Sequence, residues 1–152
     1  MDITSLVPHR SQMLLIDSVE SFDAAERRVV ASVRPRADSL FCDGDGIPAW
    51  VAIEYMAQAS AALAGLVDAA SSHGEKPRPG LLLGTRRLSL STDRFETGKT
   101  YRISSVCSFE DTDAAVFQCE IVDEDGNTAA SASLTTCRPP DMAAFMKEHT
   151  GK

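Results

Sequence analysis

Residues 47–65 read Ile47-Pro48-Ala49-Trp50-Val51-Ala52-Ile53-Glu54-Tyr55-Met56-Ala57-Gln58-Ala59-Ser60-Ala61-Ala62-Leu63-Ala64-Gly65. Pro48 suits the first turn of a helix, where its missing N–H would be unpaired anyway. From Ala49 to about Ala70 the chain is rich in Ala, Leu and Met, all good helix formers. The pattern is apolar nearly all round, as in a helix buried inside a protein. Glu54 breaks it, with Gln58 one helical turn on. A carboxylate taken out of water is costly unless it is paired, hydrogen-bonded or protonated. Desolvation favours the protonated acid, which a general acid working near neutral pH requires. Gln58, at i+4, falls on the same face and is placed to hold the Glu54 side chain. The alternative is a Glu54 that faces a solvated groove or bonds groups elsewhere in the chain.

Strand-like segments flank this helix. Met13-Leu14-Leu15-Ile16 opens an extended pattern reaching Phe22, and Arg27–Val33 reads as a strand closed by Pro35. Residues 35–47 read as a loop, and Ser71-Ser72-His73-Gly74-Glu75-Lys76-Pro77-Arg78-Pro79-Gly80 as a second one. Four more strands are expected over Leu81–Ser91, Lys99–Glu110, Asp113–Asp123 and Thr128–Arg138. Hairpin turns are expected at Glu110–Asp113 and at Asp123–Asn127, the latter with an Asp-Gly pair. A helical or turn-like lead-in is expected over residues 1–10 and a short helix over Met142–His149, capped by Asp141. The fold class is α+β: a strongly twisted antiparallel sheet of about six strands wrapped around one long helix. The edges of such a sheet need cover, which points to a dimer.

At 152 residues and 43% hydrophobic content, the chain suits one domain, 1–152. Its net charge of −7 argues against nucleic-acid binding, which needs clustered Lys and Arg. The opening MDITSLVPHR has no signal-peptide character. No membrane span is expected, because Glu54 and Gln58 interrupt the best apolar stretch. Cys42, Cys107, Cys119 and Cys137 form no C-x-x-C pair and lie far in sequence from the three histidines. They read as reduced thiols of a cytoplasmic protein, with no metal site and no cofactor.

Two motifs resemble those of the hotdog-fold β-hydroxyacyl-acyl carrier protein dehydratases. Leu6-Val7-Pro8-His9-Arg10 and Met13–Val19 are similar to that family's L-P-H-R…F-L-L-V-D-R-V opening. Pro48–Ala59 is similar to its M-P-G-V-L-I-I-E-A-M-A-Q-A helix, with Glu54 and Gln58 at matching places. A weaker run, Leu83-Gly84-Thr85 to Phe95–Lys99, is similar to the family's substrate-tunnel strand and following turn. The form P-A-W-V-x-I-E-Y-M-A-Q looks closer to the dehydratase-like proteins of aryl polyene gene clusters, where a member of this type pairs with a second hotdog subunit.

The resemblance implies a hotdog fold and a His–Glu pair that meets across a subunit interface. The His is the base toward the α-proton of the thioester, and the acid helps the β-hydroxyl leave as water. Backbone N–H groups at the start of the helix, here Ala49 and Trp50, would polarise the thioester carbonyl. Phe41 and Tyr55 would form the acyl pocket wall. The substrate would arrive on the phosphopantetheine arm of an acyl carrier protein, with Arg34, Arg36, Arg86 and Arg87 as candidates for meeting its acidic surface.

The chain departs from the pattern at the His. Fourteen residues before Glu54, where the family's G-H-F-P loop places it, stands Leu40. Aligning Gly44-Asp45 with that Gly-His puts Asp45 there instead. His73 lies 19 residues beyond Glu54, roughly 28 Å along a regular helix. His9 matches the family's other, non-catalytic His, and His149 sits in a polar tail. Three functions stay open. One is the supply of Glu54 to a dehydratase whose His comes from a partner subunit, the second a hotdog thioesterase using Glu54, and the third a non-catalytic acyl-binding scaffold. A homodimer and a heterodimer are both compatible with the sequence.

Overall fold

The computed structural model describes residues 3, 13–71 and 81–137. The expected lead-in, the 72–80 loop and the C-terminal helix lie outside the described residues, as do His9, His73 and His149. Among the described residues, eight strands and one long helix follow in the order β1 (Ser18–Asp23), β2 (Arg28–Val33), β3 (Gly46–Pro48), α1 (Ala52–Ser71), β4 (Leu81–Leu90), β5 (Arg94–Glu96), β6 (Tyr101–Glu110), β7 (Ala114–Val122) and β8 (Thr128–Cys137). A 3₁₀ turn, Ala49–Val51, leads into α1.

Six strands form one open antiparallel sheet in the order β1-β2-β6-β7-β8-β4, leaving β1 and β4 as edges. Alternation decides which side is the core. Val29, Ala31 and Val33 of β2, Tyr101 and Ile103 of β6, Phe117, Cys119 and Ile121 of β7, and Ala130, Ala132 and Leu134 of β8 are buried. Apart from the buried Ala129, their outward neighbours are polar or half-exposed. Helix α1 lies on that inner face against β1, β2, β6, β7 and β8. Met56 and Leu63 are fully buried in this core, each burial contributing about 1.5–3 kcal/mol. By length and composition 49–70 could cross a membrane. It is instead the core helix of the sheet.

The helix is not buried all round, which corrects the expectation from its composition. Ala52, Tyr55, Met56, Ala59, Ala62, Leu63 and Leu66 are buried, whereas Ile53, Glu54, Ala57, Ala61, Ala64, Val67 and Asp68 are half-buried along one stripe. A six-stranded sheet wraps one side of a helix, and the stripe is the side it leaves. The apolar groups on edge strand β4 are also uncovered, with Leu82, Leu83, Leu88 and Leu90 all exposed.

The predicted hairpins form for local reasons. Asp111 Oδ1 accepts the N–H groups of Asp113 and Ala114, closing the β6–β7 turn. Asp123 Oδ1 accepts those of Asp125 and Asn127, and Gly126 takes φ +84°, a conformation that costs a glycine little. Inside the fold, Ser60 and Ser105 are buried and share a 2.8 Å hydrogen bond across the α1–β6 contact, and Ser60 Oγ also donates to Met56 O. Burial pushes the neighbouring Cys119 thiol up, so it stays protonated among them.

Two features were not expected. The first strand is shorter than the pattern suggested: residues 14–17 are irregular and β1 begins at Ser18. Pro48 ends a small separate sheet, β3 paired with β5, one residue before the 3₁₀ turn, instead of standing in the first helical turn.

Candidate functional site

The start of α1 is fixed by that small sheet. Arg94 Nη1 donates to Asp45 Oδ1 at 2.7 Å and to Asp43 O at 2.9 Å, tying the loop before β3 to β5. Gly46 lies so close to β5 that a Cβ there would stand 2.7 Å from Phe95 O. Asp45, one of the positions aligned with the family's His, is an exposed structural ion-pair partner here.

The adjacent Ala49 N–H donates to Asp93 O at 3.0 Å. This corrects the expectation that Ala49 offers its N–H to a substrate carbonyl: the group is already committed within the chain. The Trp50 N–H has no hydrogen-bond partner among the described residues, as expected for one of the first donors of a helix. The Trp50 ring is 60% exposed and packs edge-on against Phe41, with ring centroids 5.9 Å apart.

Glu54 stands in the first turn of α1, half-buried. Gln58 Nε2 donates to Glu54 Oε1 at 3.1 Å, so the i,i+4 pairing expected from the sequence is present. The Gln58 side chain does more than that pairing required. It is completely buried. Its Oε1 accepts the Leu15 N–H at 2.8 Å and the Ile16 N–H at 3.3 Å, and its Nε2 also donates to Met13 O. One amide thereby joins Glu54 to the segment entering β1. An amide has both donors and acceptors to offer, so it can satisfy this mixed set of partners. A mid-helix Gln is otherwise an ordinary polar residue, and its sequence gives no sign of partners 42–45 residues away.

Tyr55, one residue on, turns the other way. It is buried, packs edge-on against Phe95, and Phe95 against Tyr101. Burial, and then the nearby Asp17 carboxylate, push its hydroxyl pKa well above the usual tyrosine range. Tyr55 also lines a cavity of about 290 Å³ beside the end of β2, together with Leu14, Leu15, Val33, Arg34 and Leu40. Of the two residues expected in a pocket wall, Tyr55 lines this cavity and Phe41 packs on Trp50. Leu40, at the other position aligned with the family's His, reaches the cavity and is 57% exposed.

The arrangement therefore brings a carboxylate, an amide that orients it and a helix-start N–H with no partner among the described residues to the start of α1, on the half-buried stripe of that helix. The family model of the ApeP-like proteins, described as ApeP dehydratase, matches residues 1–147. The chain belongs to the ApeP-like dehydratase family. Among solved structures, this ApeP-like chain is similar to the dehydratase heterocomplex ApeI:P from Xenorhabdus doucetiae, with a TM-score of 0.86 and 25% identity over 97% of this chain and 96% of that one. The PaaI protein of E. coli, from the phenylacetic acid degradation operon, gives a TM-score of 0.60 at 16% identity over 80% and 82% of the two chains. A hypothetical thioesterase with coenzyme A from Streptococcus pneumoniae gives 0.61 at 12% identity over 90% of each chain. These last two show the shared hotdog fold. A search of curated proteins finds no match to the sequence. The chain is thus a dehydratase-like hotdog protein.

Proposed function

We propose that this ApeP-like chain is one subunit of a 3-hydroxyacyl-acyl carrier protein dehydratase of fatty-acid or aryl polyene type, and that it supplies Glu54 to a site whose His comes from a partner hotdog subunit. The observation that carries this reading is the setting of Glu54. It is oriented by a fully buried Gln58 and lies on the one stripe of α1 that the chain's own sheet leaves uncovered. Supporting it, the similar ApeI:P structure is a dehydratase heterocomplex. The exposed leucines of edge strand β4 add further apolar surface for a partner to cover.

In this reading the partner's imidazole takes the α-proton of the thioester. The electron pair of that C–H bond forms the new C=C bond. The β-C–O bond breaks, and protonated Glu54 donates its proton to the departing hydroxyl, which leaves as water. The imidazolium and the Glu54 carboxylate then exchange a proton through solvent, which restores the starting state. Gln58 holds Glu54 Oε1, and the Trp50 N–H donates to the thioester carbonyl oxygen as negative charge builds there. Separating acid and base onto two chains requires only that each be held rigidly on its own side.

The test is dehydration of a carrier-bound 3-hydroxyacyl thioester by the assembled complex. Glu54→Gln, which keeps shape and hydrogen bonding but removes the transferable proton, is expected to lower kcat by about 10²–10⁴-fold. Activity of the Glu54→Gln complex at the level of the parent would refute the role.

A further inference from the structure

The outer face of the sheet, turned away from α1, carries a trough of about 360 Å³. Ser104, Ser131 and Ser133 line it, together with Arg28 of β2 and Arg87 of edge strand β4. Strand register runs from Arg28 through Val106, Gln118 and Ser133 to Arg86. Four strand spacings therefore separate the backbones of Arg28 and the Arg86–Arg87 pair, about 19 Å in a flat sheet. Alternation alone would turn Arg87 inward, because Arg86 stands opposite the outward Ser133. A bulge intervenes. Arg86 pairs with Ser133 and Ser89 with Ser131, so β4 spends one residue more than β8 over this stretch. Arg87 lies in the bulge at φ +55°, a left-handed conformation that is costly for most residues other than glycine. The bulge brings its side chain to the outer face.

Neither guanidinium is neutralised. The Arg28 and Arg87 side chains have no ion pair or hydrogen bond among the described residues, whereas Arg27, Arg36, Arg94 and Arg102 each hold a carboxylate. Glu120 lines the same trough, in register between Ser104 and Ser131. It pairs with neither arginine, and its Oε2 accepts the Thr128 hydroxyl at 3.0 Å. The order across the trough is thus a cation, then hydroxyls and a carboxylate acceptor, then a second cation. Planar guanidiniums match phosphate oxygens two at a time.

We propose that this trough binds an elongated dianion with a hydroxylated middle, of the class of a sugar bisphosphate. One phosphate sits on Arg28 and the other on Arg87. The hydroxyls between them donate to Glu120 and bond Ser104 and Ser131. In a chain of net charge −7, one cation would be a weak anion site, and two acting on the same molecule give the selectivity. At about 360 Å³, roughly twelve liquid-water volumes, the trough holds a single metabolite and not a folded partner. It lies on the opposite side of the sheet from α1, so Glu54 does not contribute to it and the proposed reaction does not bear on it.

Calorimetric titration of the full chain tests this with three probes: fructose 1,6-bisphosphate, fructose 6-phosphate and the bisphosphate of hexane-1,6-diol. The sugar bisphosphate is expected to bind about tenfold or more tightly than the monophosphate, which has one charged end. Arg28→Gln and Arg87→Gln each remove that preference. Arg87→Gly removes it too, and because glycine suits the φ of this position, its effect reports the lost guanidinium and not a disturbed bulge. Arg86→Gln, next to the trough but outside its lining, leaves the preference unchanged. The hexanediol bisphosphate, with both charged ends and no hydroxyls, binds more weakly than the sugar bisphosphate, and Glu120→Ala removes that difference. Equal binding of the sugar bisphosphate and monophosphate overturns the proposal, as does an unchanged preference in Arg28→Gln or Arg87→Gly. Loss of the preference in Arg86→Gln also overturns it, because the anion is then held by general surface charge. Equal binding of the two bisphosphates overturns the hydroxylated middle.

Discussion

Gln58 and Glu54 are joined by a 3.1 Å hydrogen bond, and the same Gln58 amide holds Met13, Leu15 and Ile16. Orientation of the carboxylate and docking of the segment before β1 therefore share one side chain. Gln58→Leu preserves much of the volume but leaves the buried Ile16 N–H and its neighbours without partners. It is expected to destabilise the fold by about 2–4 kcal/mol in urea denaturation, and to lower dehydration by the complex. A loss under 0.5 kcal/mol would mean that the amide is dispensable to the fold.

Gly46→Ala should act on the site from a distance. Its Cβ would meet Phe95 O at 2.7 Å and Arg94 Cδ at 3.1 Å, and the backbone atom cannot turn aside as a flexible side chain could. The β3–β5 pair must open, and with it the Ala49–Asp93 contact that sets the start of α1. The expected cost is about 1–3 kcal/mol in denaturant titration. A variant as stable as the parent would show that the small sheet tolerates the added methyl.

Tyr55 gives a pH prediction. Folding raises its hydroxyl pKa above the ordinary value of about 10, chiefly through burial. Above that pH the unfolded chain loses the proton while the folded chain keeps it. The unfolded state then binds fewer protons, so stability falls as pH rises from about 10. Below about pH 9 this contribution is constant. Tyr55→Phe, which has no hydroxyl to ionise, should show a shallower alkaline decline in urea titrations between pH 8 and 11. Parallel declines in the two proteins would remove Tyr55 as a source.

Much of the fold was legible because its signals are local. Alternation in β6, β7 and β8, the Asp-based hairpin turns and the Ala-rich helix each need only a few neighbouring residues to be read. The β3–β5 pair was missed because three-residue strands carry too little periodicity, and their contact spans about fifty residues of sequence. The half-buried stripe of α1 was missed for a different reason: composition reports that a helix is apolar, not which partner covers each face. At the site, the Glu54–Gln58 pairing followed from i,i+4 spacing. The commitment of the Ala49 N–H to Asp93, and the reach of Gln58 to residues 13–16, are tertiary contacts that no spacing rule encodes.

The central claim is that this chain holds the acid half of a divided site. The most direct measurement is single-turnover dehydration of a carrier-bound 3-hydroxyacyl thioester by the purified chain alone, by a His-bearing hotdog partner alone, and by the two mixed. The account predicts product only from the mixture, with loss on Glu54→Gln in this chain. Full-rate dehydration by this chain alone, or by the mixture carrying Glu54→Gln, would contradict it.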